Sequence, residues 1–300
     1  MIKRTLYFGN PAHLSLRLEQ LCIRRNDSEE ISTPIEDVGI IVLDNPQITI
    51  TQALLSRLTW HNVAVLSCDD KHHPSGLMLP MNGHTQTGGI TRAQVEASLP
   101  LKKQLWKQIV EAKIRNQHAL LGLQNQPDNG LLHLAHQVRS GDSTNCEAKA
   151  AARYWKKLFP DFLKFSRDPE GPPPNNLLNY GYAILRACVA RAIVCSGLWP
   201  ALGLHHHNQY NAYALADDLM EPYRPFVDRI VCEIVRMNGN FLHPLTTKMK
   251  TTLLSIPGMD VQIGKRTSPL MLAVQSTTAS LAACFQGLKR QLALPELRAS

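Results

Sequence analysis

Val38-Gly39-Ile40-Ile41-Val42-Leu43 is an unbroken apolar run rich in β-branched side chains, and Asp44-Asn45-Pro46 closes it with turn-forming residues. Such a run predicts a buried strand. Val63-Ala64-Val65-Leu66 predicts a second, and the period-two alternation of Leu14-Ser15-Leu16-Arg17-Leu18 predicts a third with one face buried. Gly76-Leu77-Met78-Leu79-Pro80 reads as a last short strand, and Leu54, Leu55 and Leu58 carry helical spacing across 51–58. After Gly88-Gly89 the character changes. Leu105, Ile109, Ile114 and Leu121 stand amid Lys and Gln, which predicts a helix over 99–123. Further helices are expected near 131–139, 145–158, 176–198, 211–238 and 268–292. The proline-rich loop Asp168-Pro169-Glu170-Gly171-Pro172-Pro173-Pro174 interrupts them. So do a Gly/Asn/Pro-rich stretch at 238–244 and a small hairpin at 261–266. The fold class is therefore α+β: a small β-rich N-terminal domain over 1–85, a linker over 86–98, and an α-helical C-terminal domain over 99–300.

With 44% hydrophobic residues and 19% charged ones, the 300-residue chain has the composition of a folded protein rather than a disordered one. No uninterrupted apolar run reaches the ~18 residues of a membrane span. The start, Met1 to Phe8, lacks the apolar core of a signal peptide, so a cytoplasmic location is expected. Seven scattered cysteines without Cys-x-x-Cys spacing point to buried thiols, not to a zinc ribbon or redox motif. The formal charge of +8 is unevenly spread. Residues 1–95 carry 8 Lys and Arg against 9 Asp and Glu, whereas residues 96–300 carry 24 against 15. A polyanion partner is therefore expected on the second domain.

His205-His206-His207-Asn208-Gln209-Tyr210 stands shortly before Asp217-Asp218-Leu219-Met220-Glu221-Pro222-Tyr223-Arg224-Pro225. Imidazole nitrogen beside carboxylate oxygen suits a hard or borderline divalent cation. Asp218 and Glu221 are i and i+3, and Asp217 and Glu221 are i and i+4, so either pair converges on one helix face. The competing reading is a solvated acidic face paired with Arg224 and Arg229. Three adjacent histidines cannot all face one site, so one ligand with two bystanders is expected. Thr144-Asn145-Cys146-Glu147 opens an alanine-rich helix, and there Glu147 is either a ligand or the third residue of a capping box with Thr144. Glu147, one histidine and Glu221 would leave positions open for water and phosphate oxygens. A zinc protease is disfavoured, because no His-Glu-x-x-His is present.

Four elements in order carry a resemblance. They are Glu147, Ala151, Tyr154 and Trp155; Asn175, Asn179, Tyr180, Gly181 and Tyr182; Gly203 to His206; and Asp218 through Pro225 with Asp228 beyond. In these the chain resembles the CRISPR-associated spacer-acquisition integrase family, the metal-dependent endonuclease subunit, in the form found in type II systems. The resemblance implies an N-terminal β domain that dimerises and an all-α catalytic domain. It implies a metal, Mg²⁺ or Mn²⁺, held by Glu147, His206 and Glu221, with His206 chosen over His205 and His207 because it stands three after Gly203. Asp218 is a nearby acid that would assist. Many members of the family carry Asp where this chain has Glu221.

The reaction implied is transesterification: the 3′-hydroxyl of a short foreign DNA duplex attacks a phosphodiester at the edge of the CRISPR repeat. Implied partners are DNA, a second copy of the chain, and a small CRISPR-associated nuclease-fold protein bridging two dimers, with no membrane. Lys248, Lys250, Lys265 and Arg266 would hold the DNA backbone. Tyr180 and Tyr182 would pack beneath the site or stack on a splayed base. A branched-DNA or general nuclease and a non-catalytic DNA-binding subunit are the alternatives.

Overall fold

The computed structural model describes residues 3–298 apart from 27, 82, 128–129, 161, 163–164, 240–241 and 243. Parts of the expected break at 238–244 thus lie outside the described residues. The chain divides into two compact units, Met1–Thr85 and Gln86–Ser300.

In the first unit, β1 (Arg4–Phe8), β2 (His13–Arg17), β3 (Gln20–Arg25), β4 (Ser28–Pro34), β5 (Val38–Leu43) and β6 (Thr49–Ile50) precede α1 (Gln52–Trp60), β7 (Ala64–Cys68) and β8 (Pro74–Met78). They form two four-stranded sheets, ordered β1-β5-β7-β8 and β4-β3-β2-β6. β5 lies parallel to both β1 and β7, and Val38, Ile40, Ile41 and Val42 are all fully buried. A strand covered on both faces has no solvent side to alternate with, which is why its sequence is uniformly apolar. β2 buries Leu14 and pairs antiparallel with β3 from Arg17↔Gln20 outward. Leu18, expected in that strand, instead turns the chain with φ 48° and is exposed. Leu54 and Leu58 of α1 close the core over Leu14, Leu21 and Val65.

The second unit contains α2 (Thr87–Glu96), α3 (Leu99–Leu123), α4 (Leu131–Gln137), α5 (Cys146–Leu158), α6 (Asn175–Cys195), α7 (Ala214–Met220), α8 (Arg224–Asn238) and α9 (Thr247–Leu253). The hairpin β9 (Asp260–Ile263) and β10 (Arg266–Pro269) leads into α10 (Leu270–Phe285). The α+β class read from the sequence holds. The linker expected over 86–98 does not: this segment is largely α2, packed on the helical unit. Gln94 is buried there, donating to the carbonyls of Trp199 (3.0 Å) and Leu202 (2.9 Å) and accepting from the Trp199 amide (2.8 Å). Gly88 and Gly89 sit in the first helical turn, where a glycine pair costs propensity without forbidding the helix.

The single helix expected over 211–238 is two. Pro222 lacks an amide hydrogen, and Glu221–Tyr223 forms a 3-10 turn between α7 and α8. α6 is long and apolar enough to span a membrane, but 83% of its apolar window is buried inside the protein, so it serves as the central core helix.

Gly181 on α6 permits that packing. A Cβ there would meet Val227 Cγ1 of α8 at 2.5 Å and Leu253 Cδ2 of α9 at 3.3 Å. Gly181→Ala is expected to destabilise the protein by about 1–3 kcal/mol in urea unfolding, as overpacking does. Val227→Ala in the same chain should recover part of that loss. An unchanged unfolding midpoint would show that the helices are not held this close.

Candidate active site

The site begins with α3. Lys113 stands in the buried stripe with Ile109, Val110, Ile114 and Gln117, a cation at a position that helical spacing assigns to the core. Its ammonium lies 2.6 Å from Glu147 Oε1 of α5 and 2.5 Å from Glu221 Oε2 of the turn between α7 and α8. Arg224 Nε lies 2.9 Å from the other oxygen of Glu221. Burial pulls the Lys113 pKa down, but the two carboxylates outweigh it and hold the pKa above its ordinary value. Burial pushes the Glu221 carboxyl up, and Arg224 and Lys113 together bring it below the ordinary range. Glu221 is thus kept ionised by the two cations on either side of it.

Glu147 is available for this because another residue caps its helix. Asp142 accepts from the Cys146 amide (2.8 Å) and the Glu147 amide (2.9 Å), satisfying two of the donors at the start of α5. Asn145 stands between them in the left-handed region, at φ 53°. The capping-box reading of Thr144 with Glu147 is therefore overturned: the Glu147 side chain reaches Lys113 instead.

The three histidines differ. His205 stacks on Trp106, with ring centroids 4.4 Å apart and planes 1° from parallel. His206 Nδ1 lies 2.5 Å from Asp218 Oδ1, and His207 is exposed. Asp218, fully buried, also accepts from the amides of Leu204 (2.6 Å), His205 (3.0 Å) and His206 (3.3 Å). Its carboxylate therefore shapes the loop and orients one imidazole through Nδ1. The Asp218 bond raises the His206 pKa above its ordinary value, against a smaller opposing effect of burial. Gly203 is required by the same loop, because a Cβ would lie 2.4 Å from the His206 carbonyl oxygen and 2.9 Å from Asp218 Oδ2.

Asp217 does not converge with Glu221. Arg186 holds it at 2.7 Å and Asn211 donates to it at 2.8 Å. Beneath the carboxylates, Asp228 accepts from Tyr154 (2.7 Å) and Tyr182 (2.5 Å), and burial pushes its carboxyl up to about 6. Tyr180 and Tyr182 are buried, which agrees with packing rather than base stacking. Lys250, expected on the DNA-facing surface, is buried with its ammonium 6.0 Å from the Tyr180 ring; Lys248, Lys265 and Arg266 are exposed.

Glu147 and Glu221 are thus brought to one cationic position, with His206 oriented nearby. Among the described residues, no three His, Cys, Asp or Glu side chains stand together as a finished metal cluster. Sequence reasoning missed Lys113 and Asp142. The signal for Lys113 was a lone charge within an apolar helical stripe.

A family model described as CRISPR associated protein Cas1 matches residues 6–241. A CRISPR-associated endonuclease Cas1 of Neisseria meningitidis serogroup C (strain 8013) is 38% identical, over 99% of this chain and 97% of its own. The chain belongs to the Cas1 family. It is thereby an enzyme of the CRISPR-associated endonuclease class. Among solved structures, a casposase bound to integration product superposes with a TM-score of 0.79 at 23% identity, covering 97% of this chain and 92% of that one. A chain of a Cas6-RT-Cas1–Cas2 complex superposes with a TM-score of 0.74 at 19% identity, covering 99% of this chain and 36% of that longer one. At such identities these two Cas1-type likenesses speak for the fold.

Asp218→Asn is expected to return the His206 pKa toward 6.5, because the amide offers no charge to stabilise the imidazolium. The sign follows from linkage. A pKa raised on folding adds stability below 6.5 that is lost as pH rises through the folded value, and the variant should lack this pH dependence. An NMR titration of the His206 ring checks it, and an unchanged pKa would mean that the pair does not form in solution.

Proposed function

We propose that this Cas1-family enzyme inserts short foreign DNA into the CRISPR repeat array by metal-dependent transesterification, with Glu147, His206 and Glu221 as ligands of Mg²⁺ or Mn²⁺. The observation that carries this reading is the convergence of two carboxylates, from separate helices, on a single cationic position. The donor set suits the ion: two hard oxygens and one imidazole. Glu221 Oε2 is buried with the Lys113 ammonium 2.5 Å away, so this oxygen already stands where a cation is held. Asp218 takes the Nδ1 side of His206 and fixes the tautomer, which frees Nε2 as a ligand atom.

When bound, the divalent ion supplies a lowered pKa for the attacking 3′-hydroxyl and charge neutralisation on the phosphate and its leaving oxygen. The remaining work falls to the chain. Arg224 keeps Glu221 ionised, Asp142 holds the start of α5 so that Glu147 projects to the site, and Trp106 and Asp218 together fix the histidine loop. Transesterification exchanges one phosphodiester for another, so no covalent intermediate on the enzyme is required. Exposed Lys248, Lys265 and Arg266 belong to the basic half of the chain and give DNA a non-specific hold.

The likeness to a casposase bound to integration product and to a chain of a Cas1–Cas2 complex supports DNA and a Cas2-type partner for this chain. Dimerisation through the β-rich unit, the bridging of two dimers by that partner, and a cytoplasmic location complete the proposal.

The test is strand transfer of a labelled short duplex into a supercoiled plasmid carrying the repeat, with the partner protein and Mn²⁺ or Mg²⁺. Wild type should join the label to plasmid, whereas His206→Ala and Glu221→Ala should not. Nicking without joining would replace integrase by nuclease, and equal joining by all three proteins would sink the ligand assignment.

A further inference from the structure

A cavity of about 180 Å³ at Glu221 is walled by Lys113, Arg167, Arg224 and Tyr182 together with the carboxylates of Glu221 and Asp228. Three of these are cations, and they are not equivalent. Lys113 and Arg224 are neutralised by the ligand carboxylates. Arg167, from the loop before α6, makes its hydrogen bonds to neutral amides, with Asp228 and Asp168 acting on it from further off: Nη1 donates to Asn175 Oδ1 at 3.1 Å and Nη2 to Asn179 Oδ1 at 2.7 Å. Both amides are themselves fixed, because Asn175 Nδ2 donates to the Ser166 carbonyl (3.0 Å) and Asn179 Nδ2 to that of Pro169 (2.7 Å). The guanidinium is therefore steadied without being discharged.

It also shares an aromatic face with a like charge. The Arg224 guanidinium carbon lies 4.6 Å from the centroid of the Tyr182 ring, and that of Arg167 lies 5.4 Å from it. Burial, with the nearby Arg224, holds the Arg167 pKa below its ordinary value against the opposing effects of Tyr182, Asp228 and Asp168. Two guanidinium groups stand on one ring, and one of them makes no ion pair among the described residues, so it keeps N–H donors for an anion although Asp228 lies in the same cavity wall. Gln117 adds a polar atom without a partner: its Oε1 is buried and makes no hydrogen bond. Rotating the amide turns its two N–H donors to the same space.

We propose that Arg167, steadied by Asn175 and Asn179 and set beside Arg224 on the Tyr182 ring, binds a non-bridging phosphate oxygen of the DNA strand that is cut and joined. This rests on the integrase reading above and adds to it the residue that holds the phosphodiester beside the ligand carboxylates. The planar guanidinium fork fits two oxygens of a phosphate, which a lysine does not. The cavity has the volume of roughly six waters, enough for a phosphate group but not for a sugar and base besides. Asn175 and Asn179 are then the mount of a phosphate-binding arginine, which accounts for two amides spent on one guanidinium.

The test pairs the residue with the phosphate. Full-length wild type, Arg167→Ala and Arg167→Lys are titrated by fluorescence anisotropy, in EDTA, with a branched strand-transfer product. The DNA carries either all natural phosphates or a single neutral methylphosphonate at or beside the junction. Wild type should lose about 10-fold to 100-fold in affinity at one neutralised phosphate, the range of a charge-assisted hydrogen bond. Arg167→Ala should show that loss already on natural DNA and no further loss at that phosphate. Arg167→Lys, which keeps the charge and serves if the alanine variant does not fold, should recover only part.

Additive losses at every phosphate, or wild-type affinity in Arg167→Ala, would overturn the proposal. So would protection by inorganic phosphate of an Arg167 site that DNA does not compete for. Mn²⁺ binding followed by electron paramagnetic resonance separates the two readings. A wild-type protein that binds no Mn²⁺ and transfers no strand, yet keeps the coupling to one phosphate, would remove the integrase reading and leave the phosphate pocket standing.

Discussion

The Lys113 ammonium is the point at which the helical unit is tied together. It comes from α3, its two carboxylates come from α5 and from the turn joining α7 to α8, and Arg224 stands behind the second of them. Charges taken out of water must be compensated where they lie, and removing one partner of a buried pair costs about 3–5 kcal/mol because the other is left bare. That constraint fixes the relative placement of three helices. It also sets the electrical state of the site: two cations against two anions, in balance. A divalent ion entering between Glu147 and Glu221 breaks the balance unless Lys113 withdraws or negative charge arrives with it. Phosphodiesters supply that charge. On the proposed reading, metal and DNA would be coupled through the electrostatics of one network.

The histidine loop obeys a second constraint, steric rather than electrostatic. Asp218 gathers three consecutive amides and one imidazole, and Gly203 lets the chain pass close enough for this to happen. Three identical neighbours in sequence become three different environments, since successive side chains leave the backbone in different directions. One finds Trp106, one finds Asp218, and one finds solvent. Selection of His206 as the oriented ring therefore lies in Asp218, twelve residues on.

Much of this was legible beforehand. The uniform apolar run at Val38–Leu43 announces a strand covered on both sides, and the stripe of α3 announces a helix; periodicity records burial directly. β1, β3 and β4 are not announced, since polar and charged residues such as Arg4, Arg24 and Glu29 interrupt the alternation. α2 was hidden by Gly88-Gly89, whose low helix propensity was overridden by the buried bonds of Gln94. At the site, Glu147, His206 and Glu221 were named through the family resemblance that their motifs carry, since local pattern alone left Glu147 open to a capping role and did not choose among the three histidines. Lys113 and Arg167 were not, because each works on residues that its own local sequence does not point to: Lys113 on Glu147 and Glu221, Arg167 on Tyr182. A lysine in an apolar stripe is visible in a sequence, but its partner is not.

The base of the site shows why the two kinds of residue must be read together. Asp228 is buried under Tyr154 and Tyr182 and is drawn toward protonation, with its carboxyl pushed up to about 6. A neutral Asp228 would leave Arg224 and Arg167 with less negative charge below them, and an ionised one more. The two tyrosine hydroxyls donate to the ionised form and favour it, while burial opposes it. The acid is thereby held between two states directly beneath two guanidinium groups on one ring. Its negative charge, in the wall of the same cavity, lets the two guanidinium groups crowd onto one ring, and the share of that charge lost on protonation is what an anion entering the cavity would replace.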